Sequence, residues 1–108
     1  MSKEYYRSQI ESYKRDVEKE KVKIADCREN IAEIKIRKSR EADSYARQLK
    51  SASSSSQKVN IRSSKARKWE SFAREIEREK DKIESCKKNI ARYRDSISRS
   101  RESMKRAR

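Results

Sequence analysis

The chain has 108 residues, 46% of them charged and only 31% hydrophobic, with a formal net charge of +14 and a pI near 10.0. That length allows one small domain at most, and the apolar content is too low for a thick globular core. Glycine, proline and histidine are all absent. The usual helix breakers, the residues that β-hairpin turns prefer and the commonest general base are therefore missing together.

The first predicted element is a long helix over residues 1–50. Stepping alternately by three and four gives Ile10, Tyr13, Val17, Glu20, Ile24, Cys27, Ile31 and Ile34. That spacing winds an apolar seam along one side of a helix, as coiled-coil packing requires. Composition this charged can also mean disorder, because too little surface is buried to offset chain entropy. The seam argues against it by gathering the few apolar residues where two helices would meet.

Residues 51–64, SASSSSQKVNIRSS, follow, and seven of these fourteen are serine. Serine bonds readily to nearby backbone and favours caps and turns over helix interiors. The seam continued from Tyr45 also reaches Trp69 out of phase. Both observations predict a linker or turn within 51–64, with Ser63 or Ser64 capping what comes next.

A second long helix is predicted over 65–108, with a basic C-terminal end. Its seam runs through Trp69, Phe72, Ile76, Glu79, Ile83, Cys86, Ile90, Tyr93, Ile97, Ser100 and Met104. Shifting the chain by 59 lays Ser12–Ile34 over Ser71–Tyr93 with 11 of 23 positions identical, among them Glu20/Glu79, Cys27/Cys86 and Asn30/Asn89. The pattern reads as a duplicated helix.

Two such helices joined by a short linker fold back on each other. The expected fold is all-α: an antiparallel two-helix coiled-coil hairpin forming one domain, completing a larger bundle with a partner or a second copy. In an antiparallel pair the numbers of facing seam residues have a constant total, here either 110 or 117. The total of 117 is expected, because it sets Lys38 opposite Glu79 whereas 110 sets Glu79 against Ile31 and Lys38 against Phe72.

Residues that could carry chemistry are few. Cys27 and Cys86 admit a disulfide if their Cα atoms lie within about 7 Å. Two thiolates without histidine make an incomplete zinc site, and buried cysteine is also a common small hydrophobe. Glu20 and Glu79 occupy seam positions where apolar residues pack better. Nothing beside them suggests a nucleophile, a phosphate loop or a cofactor cradle, and polar seam residues more often fix register. No catalytic, cofactor or metal residue is expected.

Charge beside the seam is more informative. Lys14, Lys21, Arg28 and Lys35 on the first helix correspond to Lys80, Lys87, Arg94 and Arg101 on the second. Facing along one edge, these rows would repel and form a basic stripe. Such a stripe suits a helical partner with acidic flanks, with Tyr5, Tyr6, Val22, Ala25, Ala32 and Ile36 as a second apolar face. It also suits nucleic acid held through its phosphates without sequence readout, helped by the tail 92–108 with seven basic and two acidic residues.

No run is long and apolar enough for a transmembrane helix, and Met1–Tyr6 lacks the apolar stretch of a cleaved signal. The expected compartment is the cytoplasm, or the exterior by a non-classical route. In plan, this hairpin of about a hundred residues resembles the small helical partner proteins of Gram-positive type VII secretion. The resemblance implies pairing with a helical segment of a larger protein and delivery to an export machine. The Trp-X-Gly turn of that family is absent, Trp69-x-x-Phe72 opens the second helix instead, and no Tyr-x-x-x-Asp export signal is seen. The expected function is a non-enzymatic interaction or assembly subunit, with nucleic-acid binding as the alternative.

Overall fold

The computed structural model describes residues 2–107. They form two helices, α1 over Lys3–Ser51 and α2 over Ser55–Arg106. The described chain is 95% helical without strands, and the helices pack on each other as an all-α hairpin. Ser2 starts α1, its Oγ accepting the Tyr5 amide at 3.2 Å, and Glu4 sits favourably in that positive first turn.

The turn is shorter than the serine content suggests. Between the helices lie only residues 52–54, and 55–64, expected within the linker, belong to α2. Ser54 caps α2 in place of Ser63 or Ser64, its Oγ accepting the Gln57 amide at 3.2 Å. Gln57 Oε1 in turn accepts from the Ser53 amide at 2.7 Å and the Ser53 hydroxyl at 3.0 Å. This Ser-x-x-Gln exchange satisfies donors the first turn leaves open. Serine inside a helix costs only a few tenths of a kcal/mol against alanine, and no glycine or proline stops α2 from starting at once. No described residue takes a positive φ, so the turn makes no demand for glycine.

The hairpin divides into two compact units. One combines residues up to Cys27 with residues from Asp81 onward; the other is Arg28–Lys80. In the first, Val17, Ile24, Cys86 and Ile90 form the core, with Ile83 and Tyr93 packed against it. Tyr13 and Tyr93 lie ring to ring at 6.3 Å. Each buried aliphatic side chain of this kind contributes about 2 kcal/mol of transfer free energy.

In the second unit Ile34, Tyr45 and Phe72 are buried. Trp69 bridges the two rings, 6.1 Å from Tyr45 and 5.8 Å from Phe72, both edge-on. The Tyr45 hydroxyl meets Ser64 Oγ at 3.2 Å, so Ser64 serves a cross-helix contact instead of a cap.

The contacts correct the expected register. Asn30 reaches Glu79 and Arg37 reaches Glu75, which puts facing numbers near a total of 110 and excludes 117. A turn at 52–54 fixes this, whereas a turn centred later in 51–64 favours the larger total. The charges expected to decide the register find other partners. Lys38 Nζ stands 5.6 Å over the Trp69 ring, and Glu79 accepts from the Asn30 amide.

Candidate functional site

The seam lies between the helices throughout. Ile10, Val17, Ile24, Ile34, Phe72, Ile90 and Ile97 are buried, while Tyr13, Ile31, Trp69, Ile76, Ile83, Tyr93 and Met104 are half-buried. The side of each unit that carries Lys23, Arg37, Glu75 and Asn89 is its mixed edge, and in the second unit the Arg37–Glu75 ion pair closes it at 3.3 Å. Residues one step beyond Tyr13, Glu20, Cys86 and Tyr93 turn to the other edge, because each residue advances 100° around the helix.

That other edge is basic in both units. In the first unit it carries Lys14 and Lys21 from α1 against Arg94 and Lys87 from α2, and Arg101 continues the α2 row. All are exposed. Arg7 extends the α1 row by one heptad; Tyr6 before it lies one heptad before Tyr13, on the apolar ladder, and is half-buried, which corrects its expected place on a second apolar face. Lys14 is met by Glu11 at 3.6 Å and Lys21 by Glu18 at 3.3 Å, both on their own helix. Among the described residues Arg7, Lys87, Arg94 and Arg101 have no ion pair. In the second unit Arg28, Lys35 and Lys80 occupy the equivalent rows and are exposed.

The mixed edge of the first unit holds an open groove. Glu20, Lys23, Asp26 and Cys27 line it from α1, facing Asp81, Lys82, Ser85, Cys86 and Asn89 from α2. Cys27 and Cys86 are both buried thiols, and no disulfide joins them. Among the described residues no three His, Cys, Asp or Glu side chains are grouped to hold a metal ion.

Glu20 is the unusual member, a carboxylate only 5% exposed. Its Oε1 accepts from Lys23 Nζ at 3.2 Å, while Oε2 has no hydrogen-bond partner of ordinary geometry. The Cys86 thiol first, then Lys23 and Asn89, hold the carboxyl below its ordinary 4.5 against the opposing cost of burial. Burial pushes the Cys86 thiol above 9.0, and the nearby Glu20 adds to it. Such a thiol is protonated at neutral pH and a slow nucleophile.

The repeat supplies a comparison within the chain. Asn30 and Glu79, counterparts of Asn89 and Glu20, are joined by a 3.3 Å bond from the amide to Oε2. At the Glu20 position Asn89 Oδ1 accepts from Arg92 Nη2, and the Asn89 side chain also contributes a hydrogen bond that helps to hold the Glu20 carboxyl ionised.

No family model, curated protein or solved structure matches the chain. No helix among the described residues is both long and apolar enough to cross a membrane.

Proposed function

We propose that the hairpin is a non-enzymatic interaction or assembly subunit that binds a helical partner with an acidic flank along its basic edge. One observation carries this reading. In the first unit the rows Arg7, Lys14, Lys21 and Lys87, Arg94, Arg101 run along one edge, and only Lys14 and Lys21 have carboxylate partners. Coiled-coil flanks usually carry mixed charge that pairs across the interface. Here like charges face each other, which costs stability within the chain and is relieved by an external anion. A row repeating every seven residues matches the flank of another helix, and half-buried seam residues such as Tyr13 and Tyr93 offer apolar surface beside it. A second copy is the weaker candidate because the chain carries +14. A secretion adaptor is one form of this reading and rests on the architectural resemblance alone.

Nucleic acid is the second reading, supported by the C-terminal part of α2. There Asp95 is taken by Arg99 at 3.2 Å and Glu102 by Lys105 at 3.6 Å, so Arg94, Arg101 and Arg106 present charge without local compensation.

One set of variants separates the readings. Lys87→Glu, Arg94→Glu and Arg101→Glu together should leave the helices folded, since all three side chains are exposed. The triple reversal should destroy the complex with an acidic helical partner while changing weak duplex binding little. Tight duplex binding with a steep salt slope, about −0.9 per phosphate contact, and abolished by the triple reversal, contradicts the proposal.

A further inference from the structure

We propose that the turn end of the second unit docks on an anionic lipid bilayer surface. This surface is independent of the basic edge and uses other residues.

Three observations carry it. Residues 44–69 hold seven lysines and arginines and none of the chain's 18 carboxylate side chains, so half of the +14 net charge sits in this one stretch. Lys65 and Lys68 stand over the rings of Trp69 and Phe72, at 5.1 and 5.9 Å. The other five, Arg47, Lys50, Lys58, Arg62 and Arg67, are exposed, and among the described residues none of them has an ion pair. Second, these cations crowd the turn. Arg47 and Lys50 lie in the last turns of α1 and Lys58 and Arg62 in the first turns of α2, within about 12 Å of residues 52–54 along the helices at 1.5 Å per residue. Ala52 and the serines beside it are too small to hold a flat surface away. Third, Val59 stands among the cations 58% exposed, an aliphatic side chain left in water.

A lipid surface uses all three. Anionic headgroups attract clustered cations, and an aliphatic side chain among them enters the boundary between headgroups and acyl chains. The contact is peripheral, since no described helix is long and apolar enough to cross a bilayer. Nucleic acid would use the cations alone. No ring in this stretch is free to stack on a base, because Tyr45 is buried and Trp69 is packed against Tyr45 and Phe72. An acidic helix would dock side-on along a row repeating every seven residues, whereas Lys50 and Lys58 flank the turn itself.

The test is flotation of the full chain with two kinds of vesicle, phosphatidylcholine alone and phosphatidylcholine with about one third phosphatidylserine, near physiological salt. The chain should bind the anionic vesicles only, and more weakly as salt rises. Each cation near such a surface strengthens binding about fivefold. Arg47→Gln, Lys50→Gln, Lys58→Gln and Arg62→Gln together should therefore lower affinity by about a hundredfold or more, with helicity unchanged. Arg7→Gln, Lys87→Gln, Arg94→Gln and Arg101→Gln remove the same charge elsewhere and should lower it far less. On binding, a spin label at position 59 should become more accessible to oxygen than to a polar nickel complex. No binding to the anionic vesicles, equal losses in the two quadruple variants, or an unchanged label overturns the proposal. Tighter binding of a DNA duplex at the same salt, lost in the first quadruple variant, assigns the turn end to nucleic acid and overturns it as well.

Discussion

The Asn30 amide donates to Glu79 Oε2 across the helix pair at 3.3 Å, and this bond ties the register to a polar contact instead of an apolar one. In a heptad seam, apolar layers tolerate a slip of one heptad with modest loss, whereas a buried or half-buried polar residue tolerates it badly. Slipping to a total of 117 takes Asn30 away from Glu79 and Arg37 away from Glu75. Asn30→Ala should therefore cost about 0.5–1 kcal/mol, the value of a partly exposed hydrogen bond to a charged acceptor. Urea unfolding followed by circular dichroism would measure it, and a stabilised variant would contradict the assignment.

Phe72 is the most buried ring, 4% exposed, held between Trp69 and the cation of Lys68 at 5.9 Å. Phe72→Ala should destabilise by about 3 kcal/mol, from lost transfer energy and the cavity left behind. The equivalent change at Tyr5, 40% exposed, should cost far less. Equal losses at the two positions would contradict the packing described for the second unit.

Much of this fold is legible in the heptad pattern. The alternation of three and four between Ile10 and Ile34, and again from Trp69, puts every one of those residues between the helices, because helical period and burial are the same constraint. The turn is not legible in serine content. Serine is a weak helix breaker, and the decisive signal is local: Ser54 followed three residues later by Gln57, a capping pair hidden in a run of serines. A turn placed too late carries the register with it, which is why a total of 117 looks better on paper than 110. The open Glu20 groove depends on the register, although the repeat already displays Glu20, Cys86 and Asn89 beside their counterparts.

Acid stability should report on Glu20. Its folded pKa lies below its ordinary 4.5, so its contribution is fully present above that value and is lost as pH falls through the folded pKa. Wild-type protein should therefore lose stability below pH 4.5 more steeply than Glu20→Gln. Parallel pH profiles of the two proteins would remove Glu20 from the account.

Cys86 should alkylate slowly at mildly alkaline pH, since burial and then Glu20 raise its pKa above 9.0. Glu20→Gln removes the second cause and should speed the reaction, while a denatured control reacts fastest. Stopped-flow thiol titration with Cys27→Ser as background would show it. Slower alkylation in Glu20→Gln would contradict a Glu20 contribution to the raised thiol pKa.

The opposed basic rows and the open groove both depend on which residues face each other in the first unit. Spin labels at positions 14 and 94 test this directly, because both are exposed and belong to the two rows. With facing numbers near 110, the 14–94 pair should give the shorter distance by pulsed dipolar spectroscopy. The 14–103 pair, nine residues further along α2, should be displaced along the helix by about 13 Å at 1.5 Å per residue. A shorter distance for 14–103 would restore the slipped register and contradict the account.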